Sequence, residues 1–235
     1  ITIFFLCSFN GYAQEKAIIF KNVNVVDVVE GNIRKGQDVV IKEGIIQAIG
    51  KNVGTGVSGE VKDLTGMYMM PGLIDAHVHI ANDPKESQED RAKHLEYFLR
   101  HGVTSIRDAA GDARVLQELK EGVQQGKYLG PDIYYAAFMA GPAYFEGNDR
   151  EKSMVEGWPE PYAPWMQCIR PDTDLDKAME GVKEWGCTGV KIYGGFDRET
   201  LLPLVRKAKE YGLQVWGHAT LFPAKPWDVA DAGIQ

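Results

Sequence analysis

The sequence has few cysteines, fewer basic than acidic residues and no long apolar run. Each of these features excludes a class of protein. Three cysteines in 235 residues are too few for a disulfide framework, so we expect Cys168 and Cys187 to be buried free thiols rather than a pair. The net charge of −7 argues against a nucleic-acid binder, which would carry a basic face. Glycine and proline are scattered and aromatic residues make up 10%, which is typical of a globular protein and excludes collagen-like, coiled-coil or disordered chains.

The apolar run at residues 1–9 is far shorter than the roughly 20 residues that a membrane-spanning helix needs. Small and polar residues follow it, which predicts a partial secretory signal at residues 1–13 and export to a periplasmic or extracellular location. A buried first strand is the alternative interpretation. The chain starts with Ile1 instead of Met and stops at Gln235 without a closing feature, so we expect truncation at both ends.

Two composition patterns divide the remainder. Residues 14–70 contain short β-branched runs separated by turn signals, which predicts a small β-sandwich domain. Residues 71–235 alternate short apolar strands with amphipathic helices, which is typical of a parallel sheet, either open or closed into a barrel. The predicted strands begin at Leu73, Val103, Asp132, Gly189 and Leu213. An eight-fold barrel needs roughly 250 residues, so five strands make an incomplete barrel with about three units absent.

The strongest chemical signal is the stretch from Leu73 to His79. Side chains alternate along a strand, so Asp75, His77 and His79 share one face. Two imidazoles about 7 Å apart along a strand can chelate one divalent ion, and imidazole suits zinc. Asp75 would orient one imidazole through a hydrogen bond. The alternative is a pair of histidines in the core.

Two further strands carry candidate ligands. Lys191 lies between apolar neighbours, and burial would favour its neutral amine, which can react with carbon dioxide to give an anionic carbamate. The alternative is a lysine that reaches water at the end of its strand. His218 ends the last strand, where parallel sheets place ligands, and Gly217 allows close approach of the backbone.

Two other features belong to the same edge. Arg107 and Asp108 end the second strand, and they fit either a positioning role or a structural ion pair. Residues 140–171 form a long connection that holds several aromatic side chains and would be either a substrate-binding loop or a loop packed on itself. These aromatic residues are Tyr144, Phe145, Trp158, Tyr162 and Trp165.

The chain resembles the amidohydrolase superfamily, in particular its imidazolonepropionase-like and Xaa-Pro dipeptidase-like branch. The most specific match is Pro-Gly-Leu-Ile-Asp-Ala-His-Val-His at residues 71–79. Further matching stretches, found along nearly the whole chain after the signal, are residues 20–27, 44–50, 102–108, 190–192 and 217–219.

The resemblance implies a (β/α)₈ barrel with a β-sandwich and a metal centre, often with two zinc ions. His77 and His79 would bind the more buried ion, a carbamylated Lys191 would bridge both ions, and His218 would bind the second. Asp75, Arg107 and Tyr193 are candidates for supporting the ligands or contacting substrate. The family's sixth-strand histidine and eighth-strand general-base aspartate have no counterpart in this sequence, so no catalytic base is assigned and the fragment alone is expected to be inactive.

The implied reaction is hydrolysis of a C–N bond in an amide, a peptide-like compound or a cyclic amide, by metal-activated hydroxide. A small-molecule or dipeptide-like substrate is expected, without a nucleic-acid partner or a membrane span. A mononuclear deaminase or another hydrolase of the superfamily remains an alternative, as does a non-catalytic homologue that acts by assembly. The sequence leaves the substrate, the metal and the oligomeric state open, including a homo-oligomer.

Overall fold

The computed structural model describes residues 16–146 and 154–234. The predicted signal at residues 1–13 lies outside the described residues. The chain divides into two compact units, one ending at Pro71 and the other beginning at Gly72. Within the described residues, no helix is both long and apolar enough to cross a membrane.

The N-terminal unit is β-structure. Its strands are β1 (Ala17–Asp27), β2 (Asn32–Lys42), β3 (Ile45–Gly50), β4 (Gly59–Asp63) and β5 (Tyr68–Met69). Residues 16–71 form one sheet with the order β3-β2-β1-β4, and β5 pairs with β1. The two hairpins are antiparallel, whereas β4 and β5 run parallel to β1.

The turn between β2 and β3 follows from local backbone chemistry. Glu43 and Gly44 both have positive φ, at 53° and 73°, as a tight hairpin turn requires. Glycine adopts such angles without a steric penalty. On the buried face of the sheet, Ile19 and Val40 pack together with Ala17, which gives this unit a small apolar cluster.

The C-terminal unit alternates strands and helices. Its strands are β6 (Leu73–Val78), β7 (Val103–Asp108), β8 (Asp132–Ala140), β9 (Met166–Cys168), β10 (Gly189–Ile192) and β11 (Gln214–Gly217). Its helices are α1 (Gln88–Arg100), α2 (Ala113–Gln124), α3 (Pro142–Glu146), α4 (Leu175–Glu184), α5 (Arg198–Glu210) and α6 (Pro226–Ala232). Five strands form a curled parallel sheet in the order β11-β10-β8-β7-β6, which confirms the predicted partial (β/α)₈ barrel.

The helices pack on the sheet through apolar stripes at helical spacing. In α2, Leu116 and Leu119 are fully buried, and in α5 Leu201, Leu204 and Ala208 are. Carboxylate side chains accept backbone hydrogen bonds at several helix N-termini, as at Asp197 before α5. Each such contact satisfies an N–H group that the helix itself leaves unpaired.

The cap of α4 is Asp174, whose side chain accepts hydrogen bonds from the backbone N–H groups of Asp176 and Lys177. One expectation needs correction. The connection at residues 140–171 is not wholly loop, because it contains α3 and β9, and β9 pairs in parallel with β8. Strand β9 has only three residues, too few for the apolar pattern to show it. Cys168 and Cys187 are both buried and free, as predicted.

Candidate metal centre

The candidate ligands lie at one edge of the parallel sheet. His77 is the fifth residue of β6, His79 follows that strand, Lys191 lies in β10 and His218 follows β11. Strands of a parallel sheet all end at the same edge, so elements distant in sequence bring these side chains together.

The spacing of the imidazole rings fits two sites better than one. The ring centroids of His77 and His79 lie 5.1 Å apart, at an interplanar angle of 71°. Two imidazoles bound tetrahedrally to one zinc ion, with Zn–N bonds of about 2.1 Å, place their ring centres about 5 Å apart. The centroids of His77 and His218 are 6.4 Å apart, which is wide for ligands of the same tetrahedral ion. The geometry therefore suits a His77–His79 pair with His218 beside it.

The surroundings of His77 and His218 favour the neutral form of both imidazole rings. Burial lowers the pKa of His77, and Lys191, His79 and Arg107 lower it further, while Asp75 opposes the shift. Burial also lowers the pKa of His218, with additional contributions from Lys191 and His77. A neutral imidazole has the free nitrogen lone pair that a metal ion requires.

Lys191 is buried, with only 5% of its surface exposed. Burial lowers the pKa of its ammonium group, and the positive charge of Arg107 lowers it further. Register pairing places it opposite Phe138 on one side and Trp216 on the other. A lysine in this environment is more readily the neutral amine than one at the surface.

The described donors do not make a closed site. Among residues 16–146 and 154–234, no group of three or more His, Cys, Asp or Glu side chains could hold a metal ion. The ring spacings agree, because the His77–His79 pair has the separation expected for one ion and the His77–His218 pair does not. Lys191, the fourth predicted ligand, is a lysine and is therefore not among the four residue types considered in that statement.

The supporting residues differ in what they contact. Asp75 accepts a hydrogen bond from the backbone N–H of His77, with an oxygen–nitrogen distance of 3.1 Å. The Arg107 guanidinium carbon lies 4.0 Å from the ring centre of Trp216, across the sheet on β11. Its Nε is buried without a hydrogen-bond partner among the described residues. Arg107 therefore stacks on an aromatic ring and does not pair with Asp108, which bonds to backbone amides instead.

Tyr193 joins the candidate centre to an aromatic cluster. Its ring centre lies 4.9 Å from that of His218 and 4.9 Å from that of Tyr144. A cavity of about 660 Å³ opens beside these residues. It is lined by Ala143, Tyr144, Tyr193, Gly194, Gly195, His218, Thr220, Leu221, Phe222 and Pro223.

The aromatic residues of the connection divide between the two predicted roles. Tyr144 lines the cavity and Phe145 contacts its ring, at 5.7 Å between centres. In contrast, Trp158, Trp165 and Trp185 pack edge to face on one another, and Trp165 is fully buried. The first part of the connection thus faces the candidate site, whereas the tryptophans belong to the core.

Sequence reasoning missed the role of Arg91. This residue of α1 is only 4% exposed, and its Nε donates a hydrogen bond to the carbonyl of Ile80, directly after His79. The signal was present, since helical spacing places Arg91 on the same buried stripe as Leu95. A charged residue on such a stripe calls for a specific partner.

Comparisons with known proteins place the chain in a family. The fold by itself defines the class of (β/α)-barrel proteins, which support many unrelated chemistries. A family model described as the Amidohydrolase family matches residues 68–229, more than half of the chain. The chain belongs to the amidohydrolase family, which confirms the resemblance seen in the sequence.

Several similar proteins show the extent of the similarity. The chain is 35% identical over 89 residues to a dihydroorotase from Trichlorobacter lovleyi, covering 38% of this chain and 21% of that protein. It is 35% identical over 94 residues to an adenine deaminase from Listeria welshimeri, covering 40% and 15%. A solved Xaa-Pro dipeptidase with methionine bound in its active site superposes with a TM-score of 0.72 at 21% identity, covering 94% of this chain and 60% of that one. Each match therefore spans less than two thirds of the other protein.

Proposed function

We propose that this protein is a metal-dependent hydrolase that cleaves a C–N bond in an amide or peptide-like substrate. The observation that carries the proposal is the meeting of His77, His79, Lys191 and His218 at one edge of the barrel sheet. Family membership supports it, as do the names of the relatives, which include a dihydroorotase, an adenine deaminase and a dipeptidase.

The imidazole and lysine donors suit divalent cations, with zinc first, and the complete site of the full-length protein would hold two of them. His77 and His79 would hold one ion, His218 the other, and Lys191 as a carbamate would bridge them. The carbamate forms when the neutral amine attacks carbon dioxide and releases one proton. When bound, the ions supply Lewis acidity that activates water and polarises a carbonyl group.

The chain's own residues prepare this site. Burial and neighbouring positive groups keep the pKa values of His77 and His218 low, so their ring nitrogens are available at neutral pH. Arg107 adds positive charge near Lys191, which favours the neutral amine and then the anionic carbamate. Tyr193, in contact with the His218 ring, lies where its side chain can orient a bound substrate.

The cavity beside His218 favours a substrate with an apolar or aromatic side chain. Its lining includes the apolar or aromatic side chains of Tyr144, Tyr193, Leu221 and Phe222. Phe222 is 74% exposed, which gives a ligand an apolar surface to cover. An N-acyl amino acid or a dipeptide with a bulky apolar side chain suits this cavity.

Metal analysis of the full-length protein tests the proposed metal content. We expect two equivalents of zinc after reconstitution, and one equivalent in a His218→Asn variant. A single equivalent in the wild type would support the mononuclear alternative, with Lys191 structural. No bound metal under these conditions would overturn the proposal and favour a homologue that acts by assembly.

A substrate panel tests the proposed substrate class. We expect the full-length protein to release amino acids from N-acyl amino acids and dipeptides with apolar side chains, and a His77→Asn/His79→Asn variant to lose this activity. Inclusion of cyclic amides and adenine in the panel tests cyclic-amide hydrolysis and ring deamination. Absence of hydrolysis for every acyclic amide would contradict the peptide-like preference.

Export of the protein stays a prediction that cell fractionation can test.

A further inference from the structure

Two buried charged side chains hold the backbone of Ile80, the residue after His79. Asp108 is fully buried and accepts a hydrogen bond from the Ile80 N–H, with a nitrogen–oxygen distance of 2.6 Å. Arg91 donates from Nε to the Ile80 carbonyl oxygen at 3.2 Å. The N–H of Ile80 belongs to the peptide plane that joins it to His79, so Asp108 fixes that plane directly.

The second oxygen of Asp108 ties the same segment to the loop after β7. It accepts hydrogen bonds from the backbone N–H groups of Ala110 and Gly111, at 3.1 and 2.7 Å. A β-carbon at position 111 would lie 2.9 Å from this oxygen, so only glycine fits without displacement. Three N–H donors thus occupy the carboxylate, which leaves it a structural group and not a metal ligand.

Arg91 completes the arrangement from the helix side. Besides Ile80, its guanidinium donates to the backbone carbonyls of Asp83 and Glu86. One planar guanidinium therefore holds three carbonyls of the segment that follows β6. Burying a full charge is unfavourable unless it is paired and hydrogen-bonded, so each of these buried groups needs its set of partners.

The position of His79 makes these contacts relevant to the site. Strand β6 ends at Val78, so His79 lies beyond the ladder of hydrogen bonds that holds the strand. Ligand positions must be held to within about 0.5 Å for productive binding. The backbone next to His79 obtains this restraint from Asp108 and Arg91.

We propose that Asp108 and Arg91 are positioning residues that set His79, and through it the His77–His79 pair, in the geometry that binds a metal ion. The inference rests on the proposed function, because it assigns a role toward the metal. It concerns two side chains that bond to backbone groups and lie outside the predicted ligand set.

The experiment compares metal affinity in the full-length protein. Zinc affinity is measured by competition with a chromophoric chelator, and ligand geometry by the visible absorption of the cobalt-substituted protein. We expect Asp108→Asn to weaken binding of the ion held by His77 and His79 by about 10- to 100-fold, as loss of partners that orient metal ligands does. Arg91→Lys keeps the charge but cannot reach three carbonyls, so it should weaken the same ion and alter the cobalt spectrum.

Asp228→Asn is the matched control. Asp228 is also buried, at 6% exposure, and accepts a hydrogen bond from the backbone N–H of Lys225 at 2.8 Å, but at the start of α6. We expect it to lower the unfolding temperature and to leave zinc affinity within twofold of the wild type. Unchanged affinity in both Asp108→Asn and Arg91→Lys would overturn the inference, as would an equal loss in the control.

Failure of the proposed function is separable from failure of this inference. If the wild type binds no metal, the function is wrong, and the imidazole resonances of the metal-free protein then decide the positioning role. If Asp108 and Arg91 position the ligands, the His77 and His79 signals shift in Asp108→Asn and do not shift in Asp228→Asn. Should Asp108→Asn not fold, Arg91→Lys takes its place. Unshifted signals would refute it.

Discussion

The imidazole ring of His77 lies 6.4 Å from that of His218, between centroids, although β6 and β11 are the two outermost strands of the five-stranded sheet. The curl of the sheet brings its first and last strands to face one another. The positive charge of Lys191 contributes to the lowered pKa of both rings, so the three side chains interact electrostatically.

Replacement of Lys191 by methionine should not destabilise the metal-free protein. The lysine is 5% exposed and burial disfavours its charged form, so an apolar side chain of similar length should stabilise the fold by roughly 1 kcal/mol. Urea unfolding of metal-free wild type and Lys191→Met measures the difference. A loss of more than roughly 1 kcal/mol would show that the amine has a favourable partner in the folded state.

Removal of the Phe222 ring should weaken binding of apolar substrates. Burial of a phenylalanine side chain is worth about 1.5–3 kcal/mol, so Phe222→Ala should raise KM about tenfold or more with little change in kcat. Steady-state kinetics with one dipeptide of large apolar side chain provides the measurement. Trp227→Ala is the control, because Trp227 is also exposed, at 60%, but does not line the cavity. Equal effects in the two variants would contradict the assignment of the cavity.

The Cys187 thiol should be inert in the folded protein. It is 5% exposed, and burial raises its pKa to about 12, so less than about 0.1% is thiolate at pH 8. Alkylation with iodoacetamide, followed by mass spectrometry of the peptide that contains residue 187, should show modification only after unfolding in urea. Comparable rates in native and unfolded protein would contradict the burial of this thiol.

The helix cap at Asp197 should give a pH-dependent contribution to stability. Its carboxylate accepts from the backbone N–H of Thr200 at 2.9 Å, and this bond lowers the pKa of Asp197 below 3.8. The charged form is favoured on folding, so its contribution is complete above the unfolded value and is lost as pH falls through the lower folded value. Asp197→Ala should therefore cost about 1 kcal/mol at pH 7 and less at acid pH.

Chemical denaturation at a series of pH values between 7 and acid checks this expectation. Asp197→Asn serves as control, because asparagine keeps a cap acceptor without a titrating charge. The stability difference between wild type and Asp197→Asn should disappear as pH falls below 3.8. A difference that stays constant across this range would show that the charge of Asp197 contributes nothing.

Local pattern was enough to predict most elements and one property of the candidate site. Apolar neighbours predicted the burial of Lys191, which is confirmed, because this property depends on residues adjacent in the chain. Alternation predicted that Asp75, His77 and His79 share one face of a strand, although β6 ends at Val78 and His79 follows it. The strand–helix order likewise predicted the incomplete barrel, which is confirmed. The three-residue strand β9 escaped prediction, since such a short element carries too little pattern.

The order of strands and helices could be read from the amino-acid sequence without the structure. The sequence also predicted which side chains of the candidate site share one face of a strand. Tertiary structure decided which of them meet. The parallel register and curl of the sheet bring His218 beside His77, place Arg107 over Trp216 and leave Asp108 and Arg91 to hold Ile80. These contacts join residues far apart in the chain, and no local propensity encodes a distance between them.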